Sequence, residues 1–228
     1  MKESFVLDGR TVRLWGDETP EILFLQPADD GETLPPESMR ECGVPFVHAA
    51  FEVKDWNRDL SPWEAPPVFG KNAFDGGAAD TLAFLTERLL PELRIRLGLR
   101  ESVRLCVGGY SLAGLFALWA AYRSNLFSGV AAASPSMWFP GFTELMREQK
   151  VKCRNIYLSL GDREEKTRNP VMAEVGNRIR EAQEILKEQN VKCILEWNEG
   201  NHFKDADLRT ARAFSWVIKQ LRNGEGSL

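Results

Sequence analysis

The sequence predicts an α/β fold with a mostly parallel central sheet and helices on both faces. Strand-like apolar runs alternate with helical segments through the second half of the 228-residue chain, a pattern typical of βαβ units. Within that half, a glycine-rich turn joins a strand-like run to an apolar helix. The length suits one sizeable core, so we expect a single domain over residues 1–228.

The first half of the chain predicts strands and one long loop. Residues 4–15 alternate apolar and polar side chains around Asp8-Gly9, which is typical of an edge hairpin. Two further apolar segments, 21–26 and 44–53, are predicted strands. An irregular polar loop rich in aromatic residues and proline is expected over residues 54–70, and loops of this length often carry binding functions.

The second half predicts the alternating strands and helices. Leucines at spacings of three and four indicate a helix over residues 78–97, in one piece or in two joined near Pro91. Beyond the apolar helix that follows the glycine-rich turn, the composition predicts three strands and three helices. The strands span 129–133, 155–160 and 191–197, and the helices span 142–149, 170–185 and 207–221. In such sheets, ligands sit beyond the carboxyl ends of the strands.

The stretch 103–122 has the layout of a nucleophile elbow, the strand–turn–helix unit that presents a reactive serine. An alternating apolar run leads into Gly108-Gly109-Tyr110-Ser111, and a helix rich in alanine and leucine follows. The turn holds the Ser111 hydroxyl above the sheet, where a base can reach it. The usual pattern is Gly-x-Ser-x-Gly, and Ala113 replaces the second glycine here. Ser111 is the predicted nucleophile, and the alternative is a plain helix N-cap.

A base must take the proton of this serine, because serine is a weak nucleophile at neutral pH. The chain has two histidines. His48 lies within a strand-like run and is expected to be a core or sheet residue. His202 lies in a loop after the last predicted strand, which is where a hydrolase of this layout presents its base. We therefore predict that His202 acts on Ser111.

An acid must hold the histidine in the right tautomer, and chain order in this fold runs Ser, acid, His. The segment Gly161–Lys166 lies between the two, follows a predicted strand and offers three carboxylates. Glu164 is the preferred acid because it stands three residues after the glycine that ends the strand. Asp162 and Glu165 remain alternatives, and a run of charges is also typical of a solvated surface.

Two backbone N–H groups are expected to bind the oxyanion that forms on the ester carbonyl. The first is that of Leu112, directly after the nucleophile, and the second comes from the loop after the first fully apolar strand. Pro27 has no N–H to give. Ala28 is therefore the predicted donor, with Asp29 and Asp30 as alternatives.

Composition narrows the function classes. Net charge is −4 at pH 7, so no basic patch argues for nucleic acid, and no apolar run approaches the ~20 residues that span a bilayer. The first residues lack the apolar core of a signal peptide, which favours a cytoplasmic location. The four cysteines are scattered without a Cys-x-x-Cys pair, which favours reduced thiols over a metal site or a disulfide framework.

The motifs together resemble the esterase branch of the α/β-hydrolase superfamily, which includes esterase D-like and enterochelin-esterase-like enzymes. Four segments carry the resemblance and span most of residues 20–205: Gly109–Gly114, Ser134–Trp138, Arg58–Trp63 and Gly200–Phe203. The resemblance implies an α/β-hydrolase fold, a Ser–His–acid site and ester hydrolysis through an acyl-enzyme. It also implies a small-molecule ester as substrate, with no metal and no organic cofactor.

The predicted function is that of a serine carboxylesterase. Arg58, Trp63 and Trp138 are expected to line the substrate pocket because they fall on loops at the rim of the predicted sheet. Two alternatives share the scaffold: an acyltransferase that uses the same three catalytic residues, and a binding module without catalysis. A binding module would have no reason to keep both Ser111 and His202, which argues against it.

Overall fold

Ten strands lie in the part of the chain that the computed structural model describes, residues 1–29, 42–68 and 70–223. They are β1 (Lys2–Leu7), β2 (Arg10–Gly16), β3 (Ile22–Ala28), β4 (Phe46–Glu52), β5 (Glu64–Ala65), β6 (Phe74–Asp75), β7 (Arg104–Tyr110), β8 (Phe127–Ala133), β9 (Asn155–Gly161) and β10 (Lys192–Asn198). β5 pairs with β6, and the other eight form one sheet in the order β1-β2-β4-β3-β7-β8-β9-β10.

The large sheet is antiparallel at one edge and parallel elsewhere. β1 pairs with β2, and β2 with β4, in the antiparallel sense, and every pair from β4 across to β10 is parallel. This confirms the mostly parallel sheet that the sequence predicts. The predicted hairpin is also confirmed, because Leu7 pairs with Arg10 across Asp8 and Gly9. The positive φ angles of these two residues, 49° and 72°, suit a tight two-residue turn.

Eight α-helices flank the strands within the described residues. They are α1 (Trp56–Leu60), α2 (Ala78–Ala83), α3 (Leu90–Arg96), α4 (Leu112–Arg123), α5 (Phe142–Glu148), α6 (Pro170–Ala173), α7 (Val175–Glu188) and α8 (Ala206–Asn223). The irregular loop predicted over 54–70 is wrong for part of its length, because Asp55 caps α1 there and β5 follows. None of the helices in the described ranges has the length and apolar composition that a membrane crossing requires.

The helix predicted over 78–97 is one continuous run with an altered turn. α2 leads into a π-helical turn over Phe84–Leu89, and α3 follows with Pro91 in its first turn. Pro91 has no N–H for the bond to the residue four before it. The wider π-turn directly precedes α3, so the chain continues in helical form instead of dividing in two.

Successive side chains of the buried strands point to opposite faces of the sheet and pack into two separate cores. Leu23 and Leu25 of β3 pack with helices on one face, whereas Ile22 and Phe24 pack with Phe214 of α8 on the other. Both faces of the parallel strands are therefore covered, as parallel sheets require. The carboxyl ends of these strands form the edge where β7 meets α4 and where the loops after β9 and β10 emerge.

Candidate active site

Ser111 sits at the corner between β7 and α4 in a backbone conformation that L-residues rarely adopt. Its φ and ψ are 57° and −122°, and such conformations cluster at functional sites where the surrounding structure holds them. The Ser111 N–H donates to the Ala133 carbonyl, and the Ser111 carbonyl accepts from the N–H groups of Leu115 and Ser136, each at 3.1 Å. These bonds fasten the corner to the end of β8, to the loop after it and to the first turn of α4.

The strand and the helix of this corner pass very close to each other. A Cβ atom on Gly109 would lie 2.6 Å from the Ala113 Cβ, far inside normal van der Waals contact. The missing side chain of Gly109 therefore makes room for the Ala113 methyl group. The elbow accepts alanine at its fifth position because the glycine at its first position faces it.

The side chains of Ser111, His202 and Glu164 form a hydrogen-bonded row. His202 Nε2 lies 3.0 Å from Ser111 Oγ, and His202 Nδ1 lies 2.7 Å from Glu164 Oε2. Glu164 begins a short 3₁₀ turn, Glu164–Lys166, in the loop after β9, and His202 lies in the loop after β10. The Glu164 side chain is buried, whereas 26% of the His202 side chain is exposed. A neutral imidazole held this way at Nδ1 can accept a hydroxyl proton at Nε2.

The loop that follows β9, residues 162–169, is called the acid loop, and its three candidate carboxylates have different partners. Glu164 contacts His202, as described above. Asp162 Oδ1 instead accepts a backbone N–H of the loop that carries His202, at 2.8 Å. Glu165 forms an ion pair with Arg180, with 3.0 Å between Oε2 and Nη1. The structure thus brings Glu164 to the imidazole and directs Asp162 and Glu165 elsewhere.

Arg209 is a buried cation behind this row that the sequence reasoning missed. Its Nη1 lies 3.1 Å from Glu164 Oε1, and its side chain is 2% exposed. The same Oε1 accepts from the Gly161 N–H at 2.7 Å and from the Ser134 hydroxyl at 2.9 Å. Buried charges are costly unless they are paired and hydrogen-bonded, and both oxygens of Glu164 have such partners. One feature of the sequence could have identified Arg209. It lies one turn before Ala213, on the apolar face of the last amphipathic helix, where an arginine is unexpected.

Tyr110 connects the same arginine to the loop that follows β10, residues 199–205, which is called the histidine loop. Its hydroxyl donates to the His202 carbonyl at 2.6 Å and accepts from Arg209 Nη1 at 3.1 Å. Arg209 Nη2 also donates to the Glu199 carbonyl at 3.0 Å. Burial raises the pKa of Tyr110, so the phenol keeps the proton that it donates. One guanidinium thus joins the end of β7, the acid loop and the histidine loop.

A cavity of about 290 Å³ opens beside the imidazole. Its apolar walls include Trp138, Met172 and Val175, and its polar lining includes Arg163 and His202. Ligand pockets commonly measure ~300–1,000 Å³, so the cavity is near the lower end of that range and suits a small substrate group.

Comparison with known proteins assigns this chain to a family. A family model described as "Putative esterase" matches residues 44–205, well over half of the chain. The chain belongs to this esterase family. The matched stretch includes Ser111, Glu164 and His202, whereas a search of curated protein sequences finds no match. Family membership makes the protein a carboxylic ester hydrolase.

Solved structures similar to this esterase share its fold. An IroE-like serine hydrolase from Shewanella oneidensis has a TM-score of 0.74 at 15% identity, over 96% of this chain and 80% of that one. Siderophore hydrolase EstB from Aspergillus nidulans has 0.71 at 17% identity, over 96% and 95%. Enterochelin esterase from Shigella flexneri has 0.73 at 18% identity, where 97% of this chain covers 59% of that one. These similarities confirm the predicted α/β-hydrolase fold.

The residues predicted to bind the oxyanion lie at the carboxyl edge of the sheet in this esterase. Leu112 is the first residue of α4, so its N–H is one of the four that no acceptor within the helix can satisfy. Ala28 ends β3, three residues beyond the last β3–β7 pair, Leu25 with Val107. Asp29 follows directly, and Asp30 lies outside the described residues.

Two of the three side chains predicted to line the pocket lie elsewhere in the esterase. Arg58 is half-exposed and forms ion pairs with Asp59 and Asp80 at 3.6 and 3.8 Å. Trp63 Nε1 donates to the Pro140 carbonyl at 3.0 Å, and its ring packs against aromatic residues that follow β8. These local contacts hold both side chains away from the cavity that Trp138 lines. Of the three predicted lining residues, only Trp138 therefore lines this cavity.

The other histidine and the cysteines of the esterase lie away from this site. His48 is buried in β4 with Nε2 2.9 Å from Gln26 Oε1, and burial lowers its pKa to about 3. All four cysteines are unpaired thiols, and burial raises the pKa of Cys153 to about 11, which keeps it in the unreactive thiol form. Within the described ranges, no cluster of His, Cys, Asp and Glu side chains has a metal-binding arrangement.

Proposed function

We propose that this esterase uses Ser111 as its nucleophile, His202 as its general base and Glu164 as the acid that orients the imidazole. The observation that carries the proposal is the unbroken row of short contacts, 3.0 Å from Ser111 Oγ to His202 Nε2 and 2.7 Å from His202 Nδ1 to Glu164 Oε2. The strained backbone of Ser111 supports it, because a nucleophile elbow holds its serine in such a conformation.

The first half of the proposed reaction acylates the serine. Ser111 Oγ attacks the ester carbonyl carbon while His202 Nε2 takes the hydroxyl proton. Glu164 accepts the Nδ1–H of the imidazolium and stabilises its charge. The tetrahedral intermediate then collapses, the bond to the alcohol oxygen breaks, and His202 gives the proton to the leaving alkoxide. This half yields a free alcohol and an acyl group on Ser111.

Water completes the proposed cycle. His202 takes a proton from a water molecule whose oxygen attacks the acyl carbon, and a second tetrahedral intermediate forms. Its collapse breaks the bond to Ser111 Oγ, which recovers the proton from His202, and the carboxylic acid leaves. The N–H groups of Leu112 and Ala28 are the proposed donors to both intermediates, at the positive end of the α4 dipole. Such donors are typically worth about 3 kcal/mol each toward the transition state.

The proposed substrate is a small-molecule carboxylic ester. Two of the structures that share the fold are described as a siderophore hydrolase and an enterochelin esterase, and the cavity beside His202 has room for a small organic group. Transfer of the acyl group to an acceptor other than water would use the same residues. Product analysis distinguishes the two reactions, because hydrolysis releases one carboxylic acid for every alcohol.

Hydrolysis of p-nitrophenyl acetate by the wild-type protein and by Ser111→Ala tests the proposed nucleophile. We expect S111A to lose about 10³-fold or more in kcat without a change in unfolding temperature. A fluorophosphonate probe should label the Ser111 peptide of the wild type and leave S111A unlabelled. Ser124→Ala, which removes a hydroxyl at the other end of α4, is the matched control. Full turnover or labelling in S111A would assign the nucleophile to another residue.

A further inference from the structure

Two cations on the acid loop line the cavity beside the imidazole, and we infer that they select esters whose alcohol part carries a carboxylate. They are Arg163 and Lys166, together called the cationic pair. The inference rests on the proposed function, because it assigns a substrate class to that same site.

The buried carboxylate that shares this lining does not neutralise the cationic pair. Glu164 lines the cavity as well, but its Oε1 lies 3.1 Å from the buried guanidinium of Arg209. Its Oε2 lies 2.7 Å from His202 Nδ1. Because a buried ion pair of this kind is already balanced, Glu164 contributes little negative charge to the cavity surface.

The neighbouring carboxylates of the acid loop are also engaged elsewhere. Glu165 pairs with Arg180 of α7 at 3.0 Å, and Asp162 accepts a backbone N–H of the histidine loop at 2.8 Å. In the described ranges, neither member of the cationic pair forms an ion pair with a carboxylate. Both side chains are solvent-exposed and line the cavity without a carboxylate partner among the described residues, so the entrance of the cavity carries two positive charges.

The remaining walls are apolar, so the occupant needs an apolar body as well as a negative charge. Pro135, Trp138, Met172 and Val175 line the interior, and Phe203 lines the open side with 87% of its surface exposed. Pockets of this composition bind an organic group through its apolar surface and orient it through a few polar contacts. A guanidinium fork matches the two oxygens of a carboxylate, and a lysine ammonium adds a point charge beside it.

The position of the cavity relative to the imidazole indicates which part of the ester occupies it. That part is the alcohol. The cavity is lined by His202 and by both loops that hold it, and not by Leu112 or Ala28, the proposed oxyanion donors. In the proposed reaction, His202 delivers a proton to the leaving alkoxide, which must therefore approach the imidazole. The group attached to that oxygen extends into the cavity and brings its carboxylate to the cationic pair.

Three aryl acetates that differ in one meta substituent test this selectivity: 3-carboxyphenyl, 3-carbamoylphenyl and 3-(trimethylammonio)phenyl acetate. They share the acyl group and carry a negative, a neutral and a positive leaving group. The kcat/KM of each ester is divided by its hydroxide-catalysed rate, which corrects for intrinsic reactivity. We then expect a value about tenfold higher for the carboxylate ester than for the amide ester, mainly because KM is lower. The cationic ester should be the poorest. The preference should shrink as ionic strength rises, because exposed charges are screened.

Variants that remove the two charges test whether Arg163 and Lys166 cause the preference for the carboxylate ester. R163Q/K166Q should reduce the carboxylate-to-amide ratio from about ten to about one. R168Q is the matched control, because Arg168 is an exposed cation on the same loop that does not line the cavity, and it should keep the wild-type ratio. An unchanged ratio in R163Q/K166Q, or an equal loss in R168Q, would overturn the inference.

The outcomes also separate this inference from the proposed function. Hydrolysis of all three esters without a charge preference, with the activity lost in S111A, would overturn the inference and leave the proposed function intact. Because the three esters share the acetyl group, a carboxylate preference that is lost in R163Q/K166Q reports on the alcohol part alone. If no ester were hydrolysed and the fluorophosphonate probe did not label Ser111, both would fail.

Discussion

The Arg209 guanidinium and the Glu164 carboxylate form an ion pair with 3.1 Å between Nη1 and Oε1, and the two side chains are only 2% and 5% exposed. Glu164 uses its other oxygen to hold His202 at 2.7 Å. The same guanidinium contacts the Tyr110 hydroxyl, which donates to the His202 carbonyl. Arg209 therefore constrains the histidine by two routes, one through its acid and one through its backbone.

Arg209→Met is expected to lower kcat more than it changes KM. The methionine fills part of the space but leaves Glu164 without its counterion, so the imidazole loses part of its orientation. We expect kcat to fall about tenfold and KM to change less than about threefold. The free energy of unfolding should drop by about 3–5 kcal/mol, because a buried charge loses its partner. Arg209→Lys keeps the charge and should recover part of both losses in steady-state kinetics and urea unfolding.

A double-mutant cycle tests whether Arg209 affects kcat by positioning Glu164 or only by stabilising the fold. If Arg209 acts through the acid, Arg209→Met in a Glu164→Gln background should cost less than about threefold in kcat, because the carboxylate that it serves is already gone. The same loss in both backgrounds would assign Arg209 to the stability of the fold alone.

Local pattern in the sequence predicts the row of three side chains but not the residues behind it. A glycine-rich turn marks Ser111, and the loops after predicted strands bring Glu164 and His202 to the same edge, because parallel strands share their carboxyl ends. Arg209 acts through contacts between α8, the acid loop and the end of β7, which are far apart in the chain. No spacing rule joins these segments, since their meeting depends on the strand order of the folded sheet.

The pocket walls show the same dependence on tertiary contacts. Arg58 and Trp63 lie on the predicted rim segment, but ion pairs and ring packing there direct their side chains to other partners. Met172 and Val175, which do line the cavity, belong to helical segments whose pattern predicts only apolar packing. Periodicity identifies the face of a helix or strand, whereas the direction of a side chain on a loop is set by its neighbours in space.

Gly109→Ala is expected to destabilise the elbow. The new Cβ would lie 2.6 Å from the Ala113 Cβ and 3.0 Å from the Ala113 carbonyl carbon. Overpacking of this kind costs about 1–3 kcal/mol, and kcat should fall because the shift moves Ser111. Adding Ala113→Gly removes the nearest clash and should recover part of both losses. Thermal unfolding and ester hydrolysis of the single and double variants provide the measurement, and a G109A protein as stable as the wild type would contradict the close approach.

His48 should make the protein less stable as the pH falls below 7. Burial lowers its pKa to about 3 in the folded protein, whereas an unfolded histidine titrates near pH ~6.5. Between these values the unfolded chain binds the extra proton, so the free energy of unfolding rises with pH and falls by about 2 kcal/mol from pH 7 to pH 5. His48→Gln keeps a polar partner for Gln26. In urea unfolding, its free energy of unfolding should fall by about 2 kcal/mol less than that of the wild type between pH 7 and pH 5. Equal pH dependence in the two proteins would mean that the folded protein already holds His48 protonated at pH 5.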